Sequence, residues 1–497
     1  MAKGGADYGL YLAWTVPLAS ITAYVVYEAV ARMQIEADRS LGGALFSHFN
    51  KRDEDASSTK SAAEPAKAHK ILGAPSGTPM VSFFVAALVV ISMTLLECAQ
   101  IAGMWAAVDY YYSASEPLYS IIRGIVTAVL CILVTIILFS GEIDAISKGL
   151  GLIVMVMVVT FGISAGQIGA DVEELFIGFE PTLPTGSATV ALGMIATTCL
   201  PINVFLTSSL AQGLPLPETR RGILFSTIVT AVLSLLIVIV GTGDDLDEGE
   251  EFDLSNLART LKKSAGSTCE ALFLFGLGAA SLSSGLTVAM GAALACQSLL
   301  SGLDDPDAHN KPRTASGAED YLMRGSITER MSQRDESHAD EDALLDLLPK
   351  KEPWAANGWR FRGLILFQLI VSFLVVMSGL NTVGIIVLSQ VFGGVLLPTL
   401  CFCLLICMND KETGVSQSRT QNGLLLMACT VLTGLAVYSV AGGLCDGVAL
   451  VVVSSLSAIL TFIAGLSIVL KGEERGSNIH EGEGDGDDAE IARAQQA

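Results

Sequence analysis

Apolar residues run through this chain in long stretches separated by polar ones. Eleven stretches are long enough to span a bilayer, at roughly 8–30, 80–106, 118–139, 145–166, 189–212, 221–241, 269–300, 361–379, 382–407, 423–442 and 447–470. A transmembrane helix needs about 20 predominantly apolar residues, so each stretch predicts one. The 269–300 run is longer than that and must tilt, bend or project from the bilayer. The pattern divides the chain into a membrane helix at 1–30, a cytoplasmic linker at 31–79 and a membrane domain at 80–302. A disordered cytoplasmic loop at 303–358, further membrane helices at 359–470 and an acidic disordered tail at 471–497 complete it. The expected fold class is an all-α polytopic membrane protein.

One stretch departs from a plain span. Ala191–Gln212 reads ALGMIATTCLPINVFLTSSLAQ, with Pro201 in its middle. Proline cannot donate a backbone bond to residue i−4, which leaves the Thr197 carbonyl without its helical partner. In lipid such a carbonyl is tolerated only where protein or a polar cavity covers it. Thr197, Thr198 and Asn203 gather further oxygens at the same depth. A broken helix with converging oxygens at mid-membrane is how many transporters build an ion site. The alternative is a kinked structural helix, since proline is common in membrane helices.

Composition sharpens the class. The chain has 497 residues, 51% hydrophobic and 16% charged, with mean hydropathy +0.56, far too apolar for a soluble domain. The net charge of −21 is concentrated in loops and tail, so the membrane part offers no surface for nucleic acid. The ten cysteines are scattered, mostly within apolar runs, and none has a paired metal-ligand spacing. Lysine and arginine set the orientation. Arg32, Arg39, Lys51, Arg52, Lys60, Lys67 and Lys70 follow the first stretch, whereas 107–117 and 167–188 carry none. The alternation places the C-terminus in the cytoplasm and Met1 outside, which is awkward for a chain with so few residues before its first span. One further span ahead of Met1 would remove the difficulty.

Three soluble features remain. Asp340–Leu345 (DEDALL) fits the acidic dileucine pattern read by endosomal sorting machinery, which points to a plasma or endosomal/vacuolar membrane. Arg313–Ser316 fits a common phosphorylation pattern. Phe252–Lys263 has apolar residues at helical spacing and is expected either at the interface or over neighbouring helix ends.

Several stretches, in order, resemble the NRAMP divalent-metal transporters, which have the LeuT-like inverted-repeat fold. GMIATTCLPINVFLTSSLAQ (193–212) is similar to that family's sixth helix and FGLGAASLSSGLT (275–287) to its eighth. LNTVGIIVLSQVFGGVLLP (380–398) is similar to its tenth, LLECAQIAGM (95–104) to its third, and GGADYGLYLAWTVPLASITAYVVYEAVARM (4–33) to its second. The family's first helix, also broken, carries an Asp-Pro-Gly-Asn motif that binds metal, and no such motif occurs here. The resemblance therefore agrees with the charge pattern in predicting a missing first helix. Two readings stay open: a sequence beginning at an internal methionine, which is favoured, or a protein lacking half of the site.

The resemblance implies a secondary transporter rather than an enzyme, with no cofactor beyond the transported divalent cation. Its ligand positions fall on Thr197, whose carbonyl is freed, and on Leu200, where the family has methionine. Losing sulfur and gaining a hydroxyl favours Mg²⁺ or another hard cation over Mn²⁺ or Fe²⁺. The family's titrating sixth-helix histidines fall on Ile202 and Thr207, and its third-helix acids on Glu97 and Gln100, so weak or absent proton coupling is expected. Glu97 is the best candidate for a proton or cation relay, because an ionisable residue inside a span is functional by default. Its alternative is a carboxyl hydrogen-bonded within the bundle. Asn381 and Gln390 are polar matches along the pathway. A non-transporting NRAMP-like sensor or signalling protein, acting through 303–358 and the tail, is the alternative function.

Overall fold

The computed structural model describes residues 1–58, 80–111, 116–140, 143–169, 172–243, 252–300, 358–410, 415, 417–442 and 450–470. Every regular element among them is helical. The helices are α1 (Ala2–Tyr8), a 3₁₀ turn (Gly9–Leu12), α2 (Thr15–Ala37), α3 (Leu41–Ser58), α4 (Met80–Asp109), α5 (Glu116–Ser140) and α6 (Ile143–Ile168). They continue with α7 (Val172–Gly178), α8 (Ala188–Thr198), α9 (Pro201–Leu210), α10 (Leu216–Thr242), α11 (Leu254–Ala265) and α12 (Ser267–Leu300). The last are α13 (Trp359–Met377), α14 (Thr382–Met408), α15 (Arg419–Ala441) and α16 (Leu450–Leu470). Asp340–Leu345, Arg313–Ser316 and the 471–497 tail lie outside the described residues.

Among the described residues nine spans are long and apolar enough to cross a membrane, and the bent α1–α2 pair makes a tenth. The 26-residue α6 overlies the expected segment 145–166, but among the described residues only its part Val158–Ile168 counts as an apolar helix, too short for a full span. Burial sorts them into centre and rim. Within the most apolar window, 72% of the α8–α9 span and 67% of α14 are buried, against 22% of α5 and α10 and 11% of α16. The outward faces of α5, α10 and α16 carry large apolar residues such as Ile125, Phe225 and Leu460, as a lipid-facing surface requires. Two groups of helices flank the centre. In one, α2 packs against α8, α9 and α10; in the other, α4 packs against α12 and α13. Helix α14 touches both, through α8 and α4.

The first span differs from its predicted bounds. Instead of one helix over 8–30, α1 and the 3₁₀ turn meet α2 at a bend of 105°, and α2 runs on to Ala37. The helix outlasts the apolar run because its polar residues are paired inside the protein. Glu28 takes Arg220 Nη2 at 2.7 Å and lies 3.5 Å from Arg32 Nε, while Arg32 Nη1 donates to Gln421 Oε1 at 2.7 Å. Charges that would end a lipid-exposed span here tie α2 to the starts of α10 and α15.

The expected linker at 31–79 is also corrected. It contains α3, whose Leu41, Ala44, Leu45 and Phe46 are buried beside α12, α14 and α4. The apolar patch LGGALF is too short to read as a helix from sequence, and its partners come from distant parts of the chain. Gly42 makes the contact possible: an ideal Cβ there would stand 2.6 Å from the Ser298 carbonyl carbon and 2.8 Å from the Leu299 nitrogen. His48 closes the seam with an Nδ1–Oδ2 contact of 2.5 Å to Asp410.

At the opposite end, Phe252–Lys263 takes the second of its two expected placements. Asp253 caps α11 by accepting from the Leu254 amide at 2.8 Å, and Leu257, Ala258 and Leu261 are buried against α12 and α6. The Tyr110 hydroxyl donates to Glu270, which also pairs with Lys262 at 3.1 Å. The hydrogen bond to that carboxylate pushes the Tyr110 phenol up to about 12.

The α3 contact carries a stability prediction. Gly42→Val forces its side chain into the α12 backbone and should cost about 1–3 kcal/mol, read as a lower thermal transition of the purified protein. Gly222→Ala, in α10 with nothing within 4 Å, should leave the transition unchanged or slightly raised.

Candidate metal site at a broken helix

The centre of the molecule holds the break between α8 and α9. Helix α8 stops at Thr198. Cys199 turns to φ −103°, ψ 74°, Leu200 is extended at φ −72°, ψ 131°, and Pro201 opens α9 as its first residue. Proline suits that position because its missing N–H would have no helical partner there in any case. The Cys199 amide still donates to Ile195 at 2.9 Å, and the Asn203 amide donates to the Leu200 carbonyl at 3.0 Å. No backbone N–H among the described residues donates to the carbonyls of Ala196, Thr197, Thr198 or Cys199. The expected single free carbonyl at Thr197 is therefore one of four.

The side chains of the break divide sharply. Cys199, Pro201, Ile202 and Val204 are buried, whereas Thr197 is exposed and Leu200 and Asn203 are half-buried. These last three, spaced by three residues, mark the open side. The Thr197 hydroxyl donates to the Gly193 carbonyl at 2.7 Å, which leaves its lone pairs to accept a cation. Thr198 is buried, and its hydroxyl has no hydrogen-bond partner among the described residues. Both nearby sulfurs are buried. Cys199 is fully buried, and Met194 Sδ lies 3.9 Å from the Thr15 hydroxyl.

Helix α14 backs the break. Gly393 sits against Pro201 and Gly394 against Leu192, where an ideal Cβ would meet the Leu192 side chain at 2.7 Å. Gln390 lies across from Gly193, and its Oε1 is buried without a hydrogen-bond partner among the described residues. Asn381 stands apart. Its Oδ1 caps α14 by accepting from the Val383 amide at 2.8 Å, so that oxygen is committed to the helix start.

Glu97 and Gln100 lie on the seam between α4 and α12, facing Gly285; an ideal Cβ at Gly285 would stand 3.3 Å from Glu97 Oε1 and 3.6 Å from Gln100 Cβ. Glu97 is fully buried, and neither carboxyl oxygen has a hydrogen-bond partner among the described residues. Ser92, on the same helix, reaches the level of Gly393 and the break. Five residues on, Glu97 stands about 7.5 Å further along the axis.

Two neighbours of the break were not legible in the chain. Ser92 is one. The other is Tyr27 in α2, whose hydroxyl donates to the Leu200 carbonyl at 3.4 Å across 173 residues of sequence. Neither carries a local motif. Among the described residues no group of three or more His, Cys, Asp and Glu side chains is placed to hold a metal ion. The donors assembled at the break are neutral oxygens.

Comparison with known proteins bears on the family and the fold. Among curated proteins, none matches the sequence. Crystal structures of the manganese transporter of Eremococcus coleocola have a similar fold. A histidine-to-alanine mutant shares 13% identity at TM-score 0.53, and a glutamate-to-alanine mutant 13% at 0.54. A complex with an aromatic bis-isothiourea substituted compound shares 14% at 0.52. Each comparison covers 95% of this chain and 89% of the other. These transporters have the LeuT-like fold, which this helical arrangement shares. The family described as natural resistance-associated macrophage protein-like matches residues 76–442. Its members are transporters, not enzymes. This integral multi-pass membrane protein, with its helix broken at Cys199–Leu200, belongs to the natural resistance-associated macrophage protein-like (Nramp) family.

Proposed function

We propose that the chain is a secondary transporter of a divalent metal cation that favours Mg²⁺ or another hard cation over Mn²⁺ and Fe²⁺. The observation that carries this reading is the break itself, where four carbonyls without a backbone donor among the described residues and the Thr197 hydroxyl gather, while Cys199 and Met194 are buried. The C-terminal end of a half-helix carries partial negative charge, so α8 points an attractive field at a cation. Hard oxygen donors without sulfur suit Mg²⁺ and Ca²⁺ better than softer ions. The similar transporter of known structure is named for manganese. Leu200, half-buried on the open side and offering no ligand atom, is the position where this chain departs most from a soft-metal site.

Movement follows from the packing. The half-helices α8 and α9 travel with α2 and α10, and α4, α12 and α13 form the body against which they rock. Glu97, buried in that body, is the relay for a proton or cation. With Ile202 and Thr207 unable to titrate on α9, coupling to protons is weak or absent. The basic residues near Arg32 and Arg220 support a cytoplasmic side for that end and for the C-terminus. The neutrality of the donors favours a second reading as well. Without a carboxylate at the break, cation binding can serve a membrane sensor that does not transport.

Uptake into proteoliposomes distinguishes the two. Thr197→Ala removes a hydroxyl but keeps the carbonyl, and should raise the KM for Mg²⁺ by about three- to ten-fold, the worth of one polar contact. Unchanged uptake would remove Thr197 from the site, and no cation flux in any variant would favour the sensor.

Leu200→Met places sulfur on the open side. It should raise uptake of Mn²⁺ relative to Mg²⁺ by several-fold, measured in competition between the two ions; an unchanged ratio would mean that residue 200 does not face the cation.

Glu97→Gln keeps the shape of the side chain and removes its titration. The pH dependence of uptake should flatten while the thermal transition stays within a few degrees. A large loss of stability with the pH profile intact would instead make Glu97 structural.

A further inference from the structure

Tyr27 approaches the break from α2, and its side chain is 9% exposed. Its hydroxyl donates to the Leu200 carbonyl at 3.4 Å, and the side chains of Asn203 and Cys199 lie against the same hydroxyl. The Leu200 carbonyl also accepts the Asn203 amide N–H at 3.0 Å, which fixes the Asn203 backbone beside the tyrosine. A phenol has one proton to give and lone pairs to fill. Once that proton goes to Leu200, the hydroxyl oxygen can only accept. Of the two ends of a carboxamide, only the NH₂ can donate to it.

Asn203 is half-buried and belongs to the open side of the break with Thr197 and Leu200. The two ends of its amide have opposite meaning for a cation. An oxygen turned to the opening is a ligand; an NH₂ turned there repels. The orientation of such an amide follows from its hydrogen-bond network. We infer that Tyr27 is a positioning residue: by accepting from Asn203 Nδ2 and donating to the Leu200 carbonyl, it turns Asn203 Oδ1 toward the cation. It also takes the Leu200 carbonyl out of the donor set, leaving the four carbonyls of Ala196–Cys199 to the ion. This inference rests on the reading of the break as a cation site.

The test is a double-mutant cycle on the full chain in lipid nanodiscs, with MgCl₂ binding followed by titration calorimetry. Tyr27→Phe keeps the ring and removes the hydroxyl, and Asn203→Ala removes the amide. Each single variant should weaken Mg²⁺ binding by about three- to ten-fold. The double variant should be no weaker than Asn203→Ala alone to within about two-fold, because residues acting through one contact are not additive. A tyrosine that merely packs would weaken binding by the same factor in both backgrounds, and that result overturns the inference. So does full Mg²⁺ affinity in either single variant. Wild-type protein that binds no Mg²⁺ would fail the cation-site reading and this inference together. Wild-type protein that binds Mg²⁺, is weakened by Thr197→Ala and is indifferent to Tyr27→Phe would fail the inference alone.

Discussion

The structure depends on one constraint: a backbone carbonyl inside a membrane must find a partner. Each unsatisfied group in hydrocarbon costs several kcal/mol, so a span normally satisfies its own backbone. The break between α8 and α9 leaves four consecutive carbonyls without backbone donors. Such a segment survives only where protein shields it from lipid. That explains why the α8–α9 span is the most buried of the nine and why α2, α12 and α14 crowd around it. Under the proposed function, the same open carbonyls that burden the fold are what a desolvated cation needs.

The neighbours of the break are chosen for closeness. Gly394 lets α14 lie directly against Leu192, with Gly393 beside Pro201. On the far seam, Gly285 lets α12 approach Glu97. Bulkier residues at these points would hold the helices apart, and gaps within a membrane bundle forfeit the dispersion contacts that hold it together. The polar groups without hydrogen-bond partners among the described residues here, Thr198, Gln390 and Glu97, are retained against their desolvation cost. The ion pairs between Glu28, Arg220 and Arg32 are of a different kind, since they are satisfied and join helix ends.

Much of this was legible in the residues. Long apolar runs predicted the spans, because lipid forces helix and helix forces length. Pro201, with threonines before it, predicted the break, because the consequence of a missing N–H is local. Short resemblances predicted the family, with the order of motifs carrying more than any one of them. Where the reading failed, the deciding contacts were distant. Helix α2 continues past its apolar run because Arg220 and Gln421 meet its charges. Helix α3 forms over LGGALF because α12 and α14 cover it.

The amino-acid sequence by itself determined the all-helical membrane class, the position of the broken span and the absence of a sulfur ligand at Leu200. Each follows from hydropathy or from the covalent chemistry of one residue. Only the tertiary structure decided that four carbonyls open rather than one among the described residues, and that Cys199 and Met194 are buried while Thr197 and Asn203 keep exposed surface. It alone placed Tyr27 against the Leu200 carbonyl and left Glu97 buried with no hydrogen-bond partner among the described residues. Those outcomes depend on which surfaces of well-separated helices come together, and packing between segments more than a hundred residues apart leaves no local trace in the chain.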